Sequence, residues 1–305
     1  MKQLSIFSIL AASAMLFSAQ QKTPKVDVKK MNKFLNENYP LVTSGKAMVG
    51  KDTVSVQNFI MSSGEITNLN YKEFLADLKK NGKDELYRKC LPDTTQWTKI
   101  NDNLLPMTTH YFSHAAYRSF PVVNITKENA EEYCKWLSEQ FTTRLPEGQT
   151  LKFRLPTKAE WLRAACGNEI NSPYSWKGPY LRNAQGHYLA NFTKVSETSI
   201  SRNDKGELQF EKDYPFPILN GERADLVAAT KSYFPNEFGI YNMNGNVAEL
   251  LADSDEVIGG SWYDTGYDIR NQSTKKHNGA SPKVGFRVVA TITSSNQPWF
   301  VPQKK

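Results

Sequence analysis

Outside three helix-sized segments, the apolar residues of this chain come in short strand-like runs broken by Gly, Asn and Pro. Residues 284–292 are one such run, and Phe238-Gly239-Ile240-Tyr241-Asn242-Met243-Asn244-Gly245-Asn246-Val247 shows the interruption at its densest. Connections of this kind constrain the fold, because an irregular backbone that becomes buried must still pair its N–H and C=O groups. Bound ions are one way to hold it. The 305 residues suffice for one large core, no repeat of solenoid length divides them, and the expected architecture is α+β with much irregular structure.

Three helices carry start signals. Asn70 followed by Glu73 resembles a capping box, with Tyr71, Phe74, Leu75 and Leu78 on one face. Thr126 is placed to cap a second helix that turns Ala130, Tyr133, Trp136 and Leu137 inward. Pro156, Thr157 and Glu160 open a third, burying Trp161, Leu162 and Ala165. Tyr111, Phe112 and Ser113 read instead as strand or loop, which argues against His110 and His114 as two metal ligands on one helix face.

The first residues read as an export signal: Lys2, an apolar run over residues 4–17, then Ser18, Ala19 and Gln20. Residues 1–20 are therefore expected to be removed, with cleavage shortly after Ala19. The run falls short of the roughly 20 residues that cross a bilayer as a helix, and the first cysteine, Cys90, lies too far on for lipid attachment at the signal. The mature protein is expected in the periplasm or outer cell envelope, soluble or peripheral to a membrane. Residues 21–40 read as a flexible lead-in, 41–293 as one domain, and 294–305 as a tail that docks by Trp299, Phe300 and Val301. The net charge of +7 is spread thinly, whereas a nucleic-acid reader clusters its basic residues, so no nucleic acid is expected. Cys90, Cys134 and Cys166 contain no CxxC pair. Cys134 and Cys166 read as small buried hydrophobes, although one disulfide remains open.

An ordered series of motifs is more specific. It comprises Gly64-Glu65-Ile66-Thr67-Asn68 with Tyr71, Pro121-Val122-Val123, Tyr133-Cys134-Lys135-Trp136-Leu137, Arg154-Leu155-Pro156-Thr157 with Glu160-Trp161, the 238–247 stretch with Glu249, Gly259-Gly260-Ser261-Trp262, and Gly285-Phe286-Arg287-Val288-Val289. In order and spacing the series resembles the sulfatase-modifying-factor, or formylglycine-generating-enzyme, family. That resemblance implies a variant of the C-type-lectin-like fold with structural calcium. A narrower block, Pro92-Asp93-Thr94-Thr95 with Trp97, Tyr111-Phe112-Ser113-His114, Tyr117 and Pro121-Val122-Val123, is similar to the K component of gliding motility and type IX secretion, a non-catalytic offshoot of the fold.

The resemblance also says where chemistry should sit. The aerobic enzymes of the family bind copper through two cysteines shortly after the Gly-Gly-Ser motif, since soft thiolates hold Cu(I). Alignment from Gly259-Gly260-Ser261 puts Asp264 and Ile269 at those positions, Ala248 replaces a pocket tryptophan, and Ser261 persists. The sulfoxide-synthase relatives take three iron ligands from an added helical domain, which has no counterpart here; the four histidines are His110, His114, His187 and His277. For calcium, the resemblance assigns one site to Asn242 and Glu249 side chains with Gly245 and Val247 carbonyls, an oxygen set of the kind the ion prefers. A second site would start at Asn191 and Phe192, with Glu222 or Asp225 as acidic partner.

Two further clusters carry alternatives. Asp253, Asp255 and Glu256 form either a carboxylate pair or a solvated acidic loop. Trp262, Tyr263 and Tyr267 beside Arg270 either line a carbohydrate or peptide surface or pack the loops. With the fold motifs kept and the site residues changed, the expected function is a non-catalytic scaffold or binding protein of the envelope with a protein partner, linked to gliding motility or type IX secretion. The alternative is an oxidoreductase of the formylglycine-generating class using a variant site.

Overall fold

The computed structural model describes residues 28–143, 145, 149–194, 200–210 and 226–294. The expected signal and its cleavage site, and the tail beyond residue 294, lie outside them. In chain order the elements are α1 (Val28–Asn38), β1 (Leu41–Val42), β2 (Gly45–Val49), β3 (Asp52–Val56), β4 (Phe59–Met61), α2 (Asn68–Lys80), α3 (Asp84–Lys89), α4 (Leu105–Ser113), α5 (Lys127–Thr142), β5 (Gln149–Arg154), α6 (Lys158–Cys166), β6 (Ile200–Arg202), β7 (Leu208–Phe210), β8 (Ala248–Leu250), β9 (Glu256–Ile258), β10 (Thr274–Lys276), β11 (Val284–Gly285) and β12 (Val289–Ser294). The run at 284–292 thus splits in two.

One sheet has the antiparallel order β1-β4-β12-β5, and a second has the order β10-β9-β8-β11, with β11 parallel to β8. Hairpins β2–β3 and β6–β7 stand apart from both. Helices α2 and α5 cover the first sheet through Tyr71, Phe74, Leu78, Tyr133, Trp136 and Leu137, which join Ile60, Leu151, Phe153 and Ala290 in one buried cluster. A second cluster sets Trp161, Leu162 and Ala165 of α6 against Val42, Met61, Met243, Ile258 and Val289. Both helix faces follow the three-to-four spacing of an amphipathic helix. Among the described residues no helix is long and apolar enough to cross a membrane.

The caps at Thr126 and Thr157 form as read, each hydroxyl accepting the N–H of the third helical residue. Glu160 also accepts two hydrogen bonds from Arg154, at 2.7 and 2.6 Å, and these with the Thr157 bonds hold its carboxyl below its usual range against the opposing effect of burial. The first helix differs from its expected start. Its cap is Thr67, and Asn70 is the reciprocating third residue, its N–H reaching Thr67 Oγ1 at 3.1 Å.

Two segments are more ordered than their sequence suggests. Within the expected lead-in 21–40, α1 buries Met31, Phe34 and Leu35, and Tyr39 follows it into the core. Phe34 and Tyr39 meet Phe141, and Tyr39 meets Phe153 at 5.2 Å between centroids. The apolar spacing is helical, but lysines on the other face conceal it. The stretch expected as strand or loop at Tyr111-Phe112-Ser113 belongs to α4, which Pro106 opens from its first turn. Thr108 and Ser113 return their hydroxyls to the Leu105 and Thr109 carbonyls. His110 and His114 therefore end one helix with rings 6.4 Å apart, and His114 uses Nδ1 to accept the Ala116 N–H at 3.1 Å.

Candidate functional site

The Gly/Asn-rich connections converge on a buried polar centre, and asparagine side chains do much of the backbone pairing there. Asn246, at φ +64°, accepts the Ala228 N–H at 2.8 Å and an Asn191 amide proton at 3.2 Å. Its own amide donates to the Ala228 carbonyl at 3.2 Å and to Glu65 Oε1 at 2.8 Å. Asn244 likewise accepts the Ser175 N–H and donates to the Ile269 carbonyl and Asn271. Gly245, at φ +73°, passes so close to the Asn191 carbonyl oxygen that any Cβ would collide with it. The local sequence N-x-N-G-N is thus a set of left-handed turns whose side chains reach across to other segments.

Charge is concentrated at the same centre. Arg287, fully buried, donates to both oxygens of Glu249 at 2.6 Å each, and Glu249 is 1% exposed. Trp161 Nε1 donates to Glu249 Oε2 at 2.7 Å, and Arg287 also reaches the Tyr241 carbonyl at 3.0 Å. Glu65, buried beside them, is the second acid around a single base. Burial, with the Glu249 charge, pushes its carboxyl up to about 8 despite Arg287 and the Asn246 amide. The centre thus places one base among two acids, with burial disfavouring charge on Glu65. Neither Glu65 nor Arg287 stood out in the sequence except as motif letters, since nothing local marks a buried charge.

At the expected calcium site of Asn242, Gly245, Val247 and Glu249, two of the side chains already have protein partners. Asn242 Oδ1 is buried without a donor, which would suit a cation, but its Nδ2 faces Glu65 and the Ala229 carbonyl. Both Glu249 oxygens are engaged by Arg287, whose guanidinium would repel a divalent ion. As placed, Glu249 is committed to Arg287 rather than to a cation. At the second expected site, Asn191 turns its amide to Leu226 and Asn246, Phe192 packs with Tyr174, Ala190 and Ile269, and Glu222 and Asp225 lie outside the described residues. We expect the Glu249→Gln variant to unfold earlier in urea by the same margin in calcium and in chelator. A loss confined to the calcium samples would restore the ion.

The positions where the family carries copper-binding cysteines are both structural. Asp264 Oδ2 accepts the Ser261 N–H at 2.8 Å and its hydroxyl at 2.6 Å, while Oδ1 meets Lys275. Ile269 is fully buried against Tyr174, Ala190 and Phe192. Ala248 is part of the main core, and Trp262 is buried with its ring 6.2 Å from Trp97. The remaining thiols offer no substitute. Cys90, Cys134 and Cys166 are buried and unpaired, and burial pushes Cys90 and Cys166 up to about 11, far from the thiolate form that reacts. The acidic loop is likewise held: Asp253 accepts the Lys158 N–H, and Lys158 pairs with Glu256 at 3.1 Å. Among the described residues no group of three or more His, Cys, Asp and Glu is placed to hold a metal ion.

Fold and motif order together define an α+β domain of the formylglycine-generating type, and comparison with known proteins agrees. The model of the sulfatase-modifying factor enzyme 1-like domain matches residues 25–292, so the chain belongs to that family. It is 24% identical over 268 residues to the inactive C-alpha-formylglycine-generating enzyme 2 of Bos taurus, covering 77% of each chain. It is also 24% identical over 315 aligned positions to the chaperone protein LppX of Paenibacillus barcinonensis, covering 95% of this chain and 99% of that one. The structure of PvdO from Pseudomonas aeruginosa superposes with a TM-score of 0.54 at 16% identity, covering 82% of this chain and 92% of the other, which establishes likeness of fold.

Proposed function

We propose that this chain is a non-catalytic binding or scaffold protein of the cell envelope, using the loop-rich side of the fold as a rigid platform for a protein partner. The observation that carries the reading is the pair of replaced positions. Asp264 caps Ser261 and meets Lys275, and Ile269 is sealed in a hydrophobic cluster, so neither supplies a soft ligand for Cu(I). The names of two relatives, an inactive enzyme and a chaperone, are compatible with a role in binding. The finer link to gliding motility or type IX secretion rests on the block from Pro92 to Val123, whose Trp97, Tyr111 and Val123 pack with Trp262 in one buried cluster.

The test uses the mature protein and a cysteine-containing sulfatase-type peptide, with mass spectrometry as readout and metal analysis alongside. No aldehyde and no stoichiometric copper are expected. The Asp264→Cys, Ile269→Cys double variant is expected to stay inactive as well, because Ala248 leaves the pocket wall changed. Aldehyde formed by the unmodified protein would overturn the reading and favour an oxidoreductase with a variant site.

A further inference from the structure

Two long loops lie side by side on the platform. Thr193 bridges to Thr265 and donates its N–H to the Asp264 carbonyl at 2.8 Å, and the Tyr174 hydroxyl donates to the Gly266 carbonyl at 2.7 Å. These contacts join residues 174–194 to residues 261–283. On the joined loops Tyr180, Tyr263 and Tyr267 are 76%, 50% and 71% exposed. Cations lie over the rings: Arg270 over Tyr267 at 3.4 Å, Lys283 over Tyr263 at 4.8 Å, and Arg182 over Tyr188 at 3.7 Å.

The charge of this face is one-sided. The two segments contain seven basic and two acidic residues; Lys177 is paired with Glu237 and Glu169 outside them, and both acids are engaged within the loop. Asp264 caps Ser261, Asp268 accepts the Thr265 hydroxyl at 3.0 Å, and Lys275 reaches both carboxylates. Arg270 and Lys283, each stacked on a tyrosine, carry the outward charge of the second segment.

We infer that this face is a docking surface for an acidic segment of a polypeptide partner. Arg270 anchors its Nε on the Tyr267 carbonyl at 3.2 Å while its plane rests on the Tyr267 ring. That fixes the orientation of its forked end, the geometry that takes a carboxylate by two hydrogen bonds. A sugar platform would instead need open ring faces, and here cations already cover one face of Tyr188, Tyr263 and Tyr267.

The inference rests on the binding-protein reading, and its test is separate. Fluorescein-labelled poly-L-glutamate serves as probe, followed by anisotropy with the full mature chain and with alginate as competitor. Binding is expected to weaken with added salt, and the Arg270→Ala, Lys283→Ala double variant to lose about tenfold in affinity. The Lys79→Ala, Lys80→Ala variant, which removes the same charge from α2, is expected to bind as the wild type does. Three results would overturn the inference: unchanged affinity in the loop variant, equal loss in the α2 variant, or alginate outcompeting unlabelled poly-L-glutamate. None of these bears on aldehyde formation or copper content, so the non-catalytic reading stands or falls on its own.

Discussion

Replacing Arg287 by Met is expected to destabilise the folded chain by about 3–5 kcal/mol, the range for breaking a buried pair by removing one partner. Arg287 and Glu249 are 0% and 1% exposed at the side chain, so neither solvent nor salt can replace the lost charge. The variant leaves Glu249 with the Trp161 N–H as its remaining side-chain donor, next to a second acid. It also removes the bond from Arg287 to the Tyr241 carbonyl, which ties the Gly/Asn-rich turn to the strand region. Urea unfolding of the variant should show a lower midpoint with an unchanged slope. Pairing Arg287→Met with Glu249→Leu should recover much of the loss, because a well-packed apolar pair avoids the cost of the stranded charge. A single variant as stable as the wild type would mean that the centre is open to water.

The second large effect is a dependence on pH carried by Glu65. Its carboxyl, raised by burial to about 8 in the folded state, ionises near its ordinary value of 4.5 when the chain unfolds. Between those values the folded state holds a proton that the unfolded state releases. Stability contributed by this group is therefore full below about 4.5, falls as pH rises, and levels off above about 8. The slope is at most about 1.4 kcal/mol per pH unit, giving a few kcal/mol across the window. The charges facing Glu65 are Arg287 and Glu249, with the Asn242 and Asn246 amides on its oxygens and the Tyr111 hydroxyl sensing its charge. The Glu65→Gln variant, neutral at every pH, should lose this slope when urea midpoints are compared between pH 5 and pH 8. Parallel profiles for variant and wild type would show that Glu65 is ionised throughout.

The features legible in the sequence were those fixed by short-range rules. Thr126 and Thr157 announce their helices because a cap and its partner sit three residues apart, and the faces of α5 and α6 follow from spacing alone. Helix α4 was concealed because Pro106 and the run of threonine and serine suggest loop, while hydroxyl-to-carbonyl bonds absorb those side chains in the helix. The family could be recognised from motif order, yet the role of Glu249 could not. Its partner Arg287 lies 38 residues away, and a carboxylate that suits calcium serves an arginine equally well. Sequence also anticipated that the asparagine-rich backbone needs partners; that Asn191, Asn244 and Asn246 provide many of them requires knowing which distant segments meet.

The placement of β12 has a consequence for how the chain comes to be folded. This strand occupies the middle of the first sheet, between β4 from the beginning of the chain and β5 from its centre, and Arg287 lies just ahead of it. Neither the sheet nor the charged centre can close until residues 287–294 have been made. Until then α2 and α5 can pack on each other through Tyr71, Phe74, Tyr133 and Trp136, but the sheet beneath them lacks its middle strand. Pairings between such distant segments slow folding, so completion of this sheet is expected to be a late step.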